Sequence, residues 1–119
     1  MVARASRAPY VPDRGDAIWL SFDPQRGREQ SGRRPALVLS PASYNDRTGL
    51  AVCCPITSAV KGYPFEVLVP AGSAVRGAVL ADHVKSLDWR ARNAALIVAL
   101  PPSVANTVLK RLGTLLSIG

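Results

Sequence analysis

Residues 94–116 read Ala-Ala-Leu-Ile-Val-Ala-Leu-Pro-Pro-Ser-Val-Ala-Asn-Thr-Val-Leu-Lys-Arg-Leu-Gly-Thr-Leu-Leu, and the periodicity changes midway. Residues 94–100 form a short apolar run of β type. Pro101-Pro102-Ser103 then supplies a helix start, since a proline in the first turn gives up no needed hydrogen bond. Beyond it Val104, Val108, Leu109, Leu112, Leu115 and Leu116 recur at helical spacing, so one face of a terminal helix must be buried. Upstream, further β-type runs fall at 17–22, 36–39, 50–54, 65–69 and 78–80. They are separated by Gly, Pro, Asn and Asp clusters at 23–32, 41–49, 61–64 and 70–77. Short helical turns are expected near 42–46 and 82–85. The pattern is that of a mainly β fold, a small antiparallel barrel closed by a C-terminal α-helix.

A chain of 119 residues makes one domain with a modest core. Residues 1–9, with Arg4 and Arg7 and no apolar stretch behind them, read as a basic tail before a domain spanning 10–119. No apolar run approaches the roughly 20 residues of a membrane span, so no membrane partner and a cytoplasmic location are expected. Cys53 and Cys54 are adjacent in a strand-like run, which sends their side chains to opposite faces; that spacing suits neither a disulfide framework nor a zinc site. The lone His83 builds no metal cluster by itself and reads as a surface or hydrogen-bonded histidine, so neither a metal site nor a cofactor is expected. The net charge is +7, and twelve of the fifteen basic residues are arginine. Arginine's planar fork grips phosphate and stacks on bases, so the balance points to a phosphate-rich partner.

That charge concentrates in residues 23–35, Asp-Pro-Gln-Arg-Gly-Arg-Glu-Gln-Ser-Gly-Arg-Arg-Pro, which hold four arginines and two glycines. A connection of this length in a compact domain is more often functional than ornamental. The glycines let backbone N–H groups approach a phosphate, and Pro35 stiffens the chain where Arg34 enters the next strand.

Gly27-x-Glu29-Gln30-x-Gly32-x-Arg34-Pro35 resembles the signature loop of the MazF/PemK toxins. Gly15-Asp16, Ile18-Trp19-Leu20, Pro55-Ile56-Thr57-Ser58, Lys61-Gly62-Tyr63-Pro64-Phe65 and the stretch from Leu80 to Asp88 are similar to the family in order and spacing. The resemblance implies an SH3-like antiparallel barrel that forms a homodimer. It also implies a ribosome-independent endoribonuclease, or mRNA interferase, that cuts single-stranded RNA at short sequences and is held in check by an acidic, MazE-like antitoxin. It places the catalytic pair on Arg34 and Thr57, a cation and a hydroxyl able to hold the scissile phosphate as negative charge grows on its oxygens.

Cleavage without metal needs a base for the ribose 2′-OH and an acid for the leaving 5′ oxygen. Arginine is a costly base, because its pKa of roughly 13 implies about 8 kcal/mol at neutral pH. Arg34 is therefore assigned to transition-state stabilisation and proton donation, and Glu29 to the base. Glu29 equally suits a role in orienting the loop through its arginines. Asp82 matches an acidic position used by some members and is the reserve base. Those members carry an arginine and a histidine where this chain has Leu80 and Arg28, so their proton assignments do not transfer.

Phe22, Arg28, Gln30, Arg33, Ser58, Lys61 and Lys85 complete the expected RNA contacts, Phe22 reading equally as core. Trp19 and Trp89 read as packing residues. Two alternatives stay open, a gyrase poison on the same barrel and a non-catalytic RNA-binding barrel. Gyrase poisons rely on a C-terminal Trp-Gly-Ile, whereas the last residues here are Leu116-Ser117-Ile118-Gly119.

Overall fold

A computed structural model describes residues 9–22 and 32–118. Among them the elements run β1 (Asp16–Ser21), β2 (Arg33–Val38), α1 (Ala42–Thr48), β3 (Leu50–Thr57), β4 (Glu66–Leu68), β5 (Ala78–Leu80), β6 (Lys85–Asp88), β7 (Ala95–Ala99) and α2 (Pro102–Leu116). All strand pairs are antiparallel, in the order β4-β5-β3-β2-β1-β7 with β6 also on β3. The expected mainly β architecture with a terminal helix is present. The ring is not closed by strand pairing, because among the described residues β4 and β7 sit at the two ends of the path. Helix α2 leaves β7 and packs on β4, so apolar contact bridges those ends.

Strand β3 is the hub. One edge pairs with β2, through Ala36↔Pro55, Leu37↔Cys54 and Val38↔Cys53. Its other edge takes β6 against residues 50–53 and β5 against Ile56 and Thr57. Between those two strands the chain leaves the sheet in a turn closed by the His83 N–H donating to Leu80 O at 3.0 Å. The helical turn expected at 82–85 is this bulge followed by the start of β6. Lys85-Ser86-Leu87-Asp88 has no strand-like apolar alternation, and it becomes a strand because β3 offers it a free edge. The helical turn expected at 42–46 is α1, which ends at Gly49 with φ of 77° in the left-handed region that glycine adopts without Cβ cost.

The hub sheet is buried on both faces. Ala17, Leu37, Cys54 and Ile56 join a core capped by Val104, Ala105, Val108 and Leu112 of α2. Ile18, Leu20, Ala36, Val38, Ala51 and Cys53 join a second core under Trp89. Cys53 and Cys54 thus do face opposite ways, each as a buried free thiol. Burial pushes both up to about 12, with the neighbouring Cys54 adding to the effect at Cys53 and Asp82 adding at Cys54.

Buried polar groups concentrate where β2, α1 and β3 meet. Asn45 is fully buried; its Nδ2 donates to Pro12 O at 2.7 Å and Ser40 O at 2.9 Å, and its Oδ1 accepts from the Ser40 hydroxyl at 2.5 Å. The Trp89 indole donates to Asn45 O at 2.9 Å, and the Val52 N–H donates to Ser40 Oγ at 2.8 Å. This network ties the N-terminal segment, the helix and the β6–β7 connection to the hub. Tyr10 adds a second tie: its hydroxyl donates to Asp16 Oδ2 at 2.5 Å, and burial first, then this carboxylate, hold the phenol proton on.

Candidate functional site

The β2–β3 ladder ends at Ala36↔Pro55, and the same antiparallel register continued two residues further sets Arg34 level with Thr57. Beyond the last rung the two strands line a cleft of about 770 Å³ instead of pairing. Arg34, Thr57, Ser58, Arg76, His83 and Lys85 supply its polar wall, and Trp19, Phe22, Pro35, Ile56 and Ile97 are among its apolar lining. A second cleft of about 420 Å³ adjoins it and shares Thr57, Leu80 and His83. Lys61, Tyr63, Pro64, Phe65, Glu66 and Asp82 line this second space.

Each wall is held from behind. The Ala59 N–H donates to Thr57 Oγ1 at 3.0 Å, which occupies a lone pair of the hydroxyl and leaves its proton available as a donor. Gly77, just before β5, packs directly on Thr57. A Cβ there would lie 1.9 Å from Thr57 O, and the φ of 112° at Gly77 is one that side chains resist. The second cleft is shaped by the Glu66 carboxylate, which accepts the Lys61 N–H at 3.1 Å and the Gly62 N–H at 2.8 Å. Arg111 of α2 donates to Pro64 O and Glu66 O, so the terminal helix braces that turn.

The first cleft is strongly cationic. Arg34, Arg76 and Lys85 line it, and no acidic side chain is among its described lining residues. A single-stranded polyanion with apolar bases fits such a wall, phosphates on the cations and bases against Trp19, Phe22 and Ile97.

The structure brings Arg34, Thr57, Phe22, Ser58 and Lys85 into one cleft and sets Lys61 and Asp82 in the adjoining one. Phe22 serves both of its readings, since it packs against the second core, lines the cleft and lies 5.0 Å below the Arg92 guanidinium. Arg33 is not in the cleft. Its guanidinium donates to Ser21 Oγ of β1 at 2.9 Å and to Asn93 O in the β6–β7 connection at 2.8 Å. Glu29, Arg28 and Gln30 lie outside the described residues.

Trp89 packs as expected, but Trp19 is 39% exposed and forms cleft wall, which corrects its reading as a packing residue. Arg76 and His83 are the residues that sequence reasoning missed. Arg76 stands in a Gly-rich connection with no pattern of its own. His83 is brought to the cleft by the bulge between β5 and β6, which only the pairing with β3 creates.

Residues 13–116 match the family model described as PemK-like, MazF-like toxin of type II toxin–antitoxin system. The chain is 48% identical over 107 residues to the endoribonuclease toxin MazF of Escherichia coli (strain K12), covering 90% of this chain and 96% of that one. It is 38% identical to the endoribonuclease PemK of Escherichia coli, over 98% of this chain and 91% of that one. The crystal structure of a MazE–MazF complex from Deinococcus radiodurans (Form-II) contains a similar chain, with a TM-score of 0.83 and 52% identity over 93% of this chain and all of that one. With its family model spanning the whole hub, both clefts and the terminal helix, the chain belongs to the PemK-like, MazF-like toxins of type II toxin–antitoxin systems.

Proposed function

We propose that this chain is a toxin endoribonuclease that cuts single-stranded RNA by attack of the ribose 2′-OH, independently of metal and of the ribosome. The observation that carries this reading is the placement of Arg34 and Thr57 level with each other in a cationic cleft, in a chain whose relatives are named endoribonucleases. The Arg34 guanidinium and the Thr57 hydroxyl hold the non-bridging oxygens of the scissile phosphate and gain strength as charge builds on them in the transition state. Arg76 and Lys85 hold flanking phosphates. Glu29 takes the 2′-OH proton, with Asp82 as the alternative base. Ser58, Lys61, Phe22, Arg28 and Gln30 are the wider RNA-contacting set, while Arg33 instead ties β1 to the β6–β7 connection. The products carry a 2′,3′-cyclic phosphate and a 5′-OH.

The working unit is a homodimer in the cytoplasm, restrained by an acidic antitoxin that would stand to it as MazE does to MazF in the Deinococcus radiodurans complex. A basic cleft attracts carboxylates as it attracts phosphates, so an acidic segment competes with RNA for the same wall. The test is cleavage of a long single-stranded RNA in excess EDTA, with the fragment ends mapped. Cutting should persist, and a 2′-deoxy nucleotide at the cut position should stop it. Continued cutting of that substrate would overturn the 2′-OH mechanism.

A further inference from the structure

We propose that His83 is the general acid that gives a proton to the leaving 5′ oxygen. The inference rests on the reading that this cleft cuts RNA by 2′-OH attack. His83 lines both clefts and shares that position with Thr57 and Leu80, so it stands on the wall where a phosphate held by Thr57 passes from one space to the other. It projects from the bulge between β5 and β6, which is pinned by the His83 N–H on Leu80 O and by the Cys54 thiol donating to Ala81 O at 3.7 Å. Its ring is more than half exposed and therefore open to a substrate.

The charged and titratable groups around it come from every neighbouring element. Arg34 of β2, Arg76 before β5 and Lys85 of β6 face it across the first cleft, and Lys61, Tyr63 and Glu66 across the second. Asp82, on the same turn, has Oδ1 3.8 Å from His83 Nε2. An alkoxide leaving group needs a donor that gives up its proton near neutral pH. Arginine, lysine and tyrosine ordinarily hold theirs to about pH 10 or above, whereas an imidazolium ordinarily releases its own near about 6.5. Among the described residues lining the clefts, His83 is the one imidazole, and it shares both clefts with Thr57. Asp82 attracts the protonated ring, while the arginines and lysines are engaged by phosphates. In the step, the 2′-OH proton passes to the carboxylate base, the O2′–P bond forms, the P–O5′ bond breaks, and O5′ takes the proton from His83. Exchange with solvent resets both groups.

The test compares the parent and His83→Gln on two RNAs, one ordinary and one with sulfur replacing the bridging 5′ oxygen at the cut, since a thiolate leaves without being protonated. On ordinary RNA the variant should cut at least about 100-fold more slowly, the lower end of general acid–base contributions, and its kcat/KM should no longer fall with rising pH as the parent's is expected to. On the sulfur-bridged RNA the variant should cut about as fast as the parent. His83 is exposed, so the variant should melt like the parent, and this is checked alongside. An equal loss on both RNAs, or an unchanged pH profile, would overturn the role of His83. Failure of the parent itself to cut ordinary RNA would instead remove the underlying reading, and the proposal with it.

Discussion

The two ends of the β2–β3 ladder treat polar groups in opposite ways. At the end nearest α1, Asn45 and Ser40 are buried, and each side-chain polar atom they carry meets a partner within the protein. At the other end the strands part, and Arg34, Thr57 and Lys85 turn their donors toward open space. A buried donor without a partner costs about 1–3 kcal/mol, so the closed end has to be complete to be stable. An exposed cation costs little to leave unpaired, because water solvates it until an anion arrives. The same ladder thus spends one end on holding the fold together and keeps the other in reserve for a ligand. Substitutions at the two ends should separate activity from stability.

The largest effect is expected at the open end. Arg34→Ala and Thr57→Ala should each lower RNA cleavage by at least about 100-fold, the usual scale for losing a stabilising donor, with thermal unfolding unchanged. Single-turnover cleavage alongside calorimetry measures both. Two variants that melt normally and cut at the parental rate would place the chemistry elsewhere.

The closed end should show the reverse. Asn45→Ala removes a donor from Pro12 O and Ser40 O and an acceptor from the Ser40 hydroxyl, all in buried surroundings. A loss of about 3 kcal/mol in denaturant unfolding is expected, with cleavage by the remaining folded protein within about twofold of the parent. A variant as stable as the parent would show that the network is not what holds this end.

Between the ends, Cys53 and Cys54 sit on the middle rungs, and their burial gives the fold an alkaline limit. Both thiols are raised from about 9 to about 12 in the folded chain. Above pH 9 the unfolded chain loses these protons while the folded one keeps them, so the folded state binds more protons and stability falls as pH rises from about 9 toward 12. The fall should be on the order of 1 kcal/mol per thiol by pH 10. Equilibrium unfolding at pH 8, 9 and 10 tests this, with Cys53→Ala and Cys54→Ala flattening the curve. The same burial predicts that alkylating reagents modify the thiols only as the chain unfolds.

The smallest effect should come from Arg33, the residue beside the cleft arginine. Its guanidinium is already bound to Ser21 and Asn93. Arg33→Ala should change cleavage by less than about threefold and stability by no more than about 1 kcal/mol, as expected for an exposed arginine with neutral partners. A loss comparable to that of Arg34→Ala would mean that Arg33 turns toward the RNA on binding, and the contrast between the neighbours would fail.

Local chemistry was enough to read much of this molecule. Short apolar runs of β type marked six of the seven strands, because those strands carry residues for a core on one or both faces, and the helical spacing after Pro101-Pro102 marked α2. The opposite facing of Cys53 and Cys54 followed from strand geometry alone. Arg34 and Thr57 were legible as a pair only through the resemblance to the toxin family that the Arg34-Pro35 and Pro55-Ile56-Thr57 motifs carry. What depended on tertiary structure was everything set by register between distant segments. Strand β6 exists because β3 has an edge to fill, and the bulge before it carries His83 into the cleft. Trp19 stays partly exposed because it is paired with Pro35, just past the last β2–β3 rung, where the cleft opens, and Arg33 is held away by partners on β1 and the β6–β7 connection. A side chain's type and its local period are written in its own segment, but its neighbours are chosen by hydrogen-bonded pairing across the sheet, and that pairing settles which polar groups are satisfied and which stay free for chemistry.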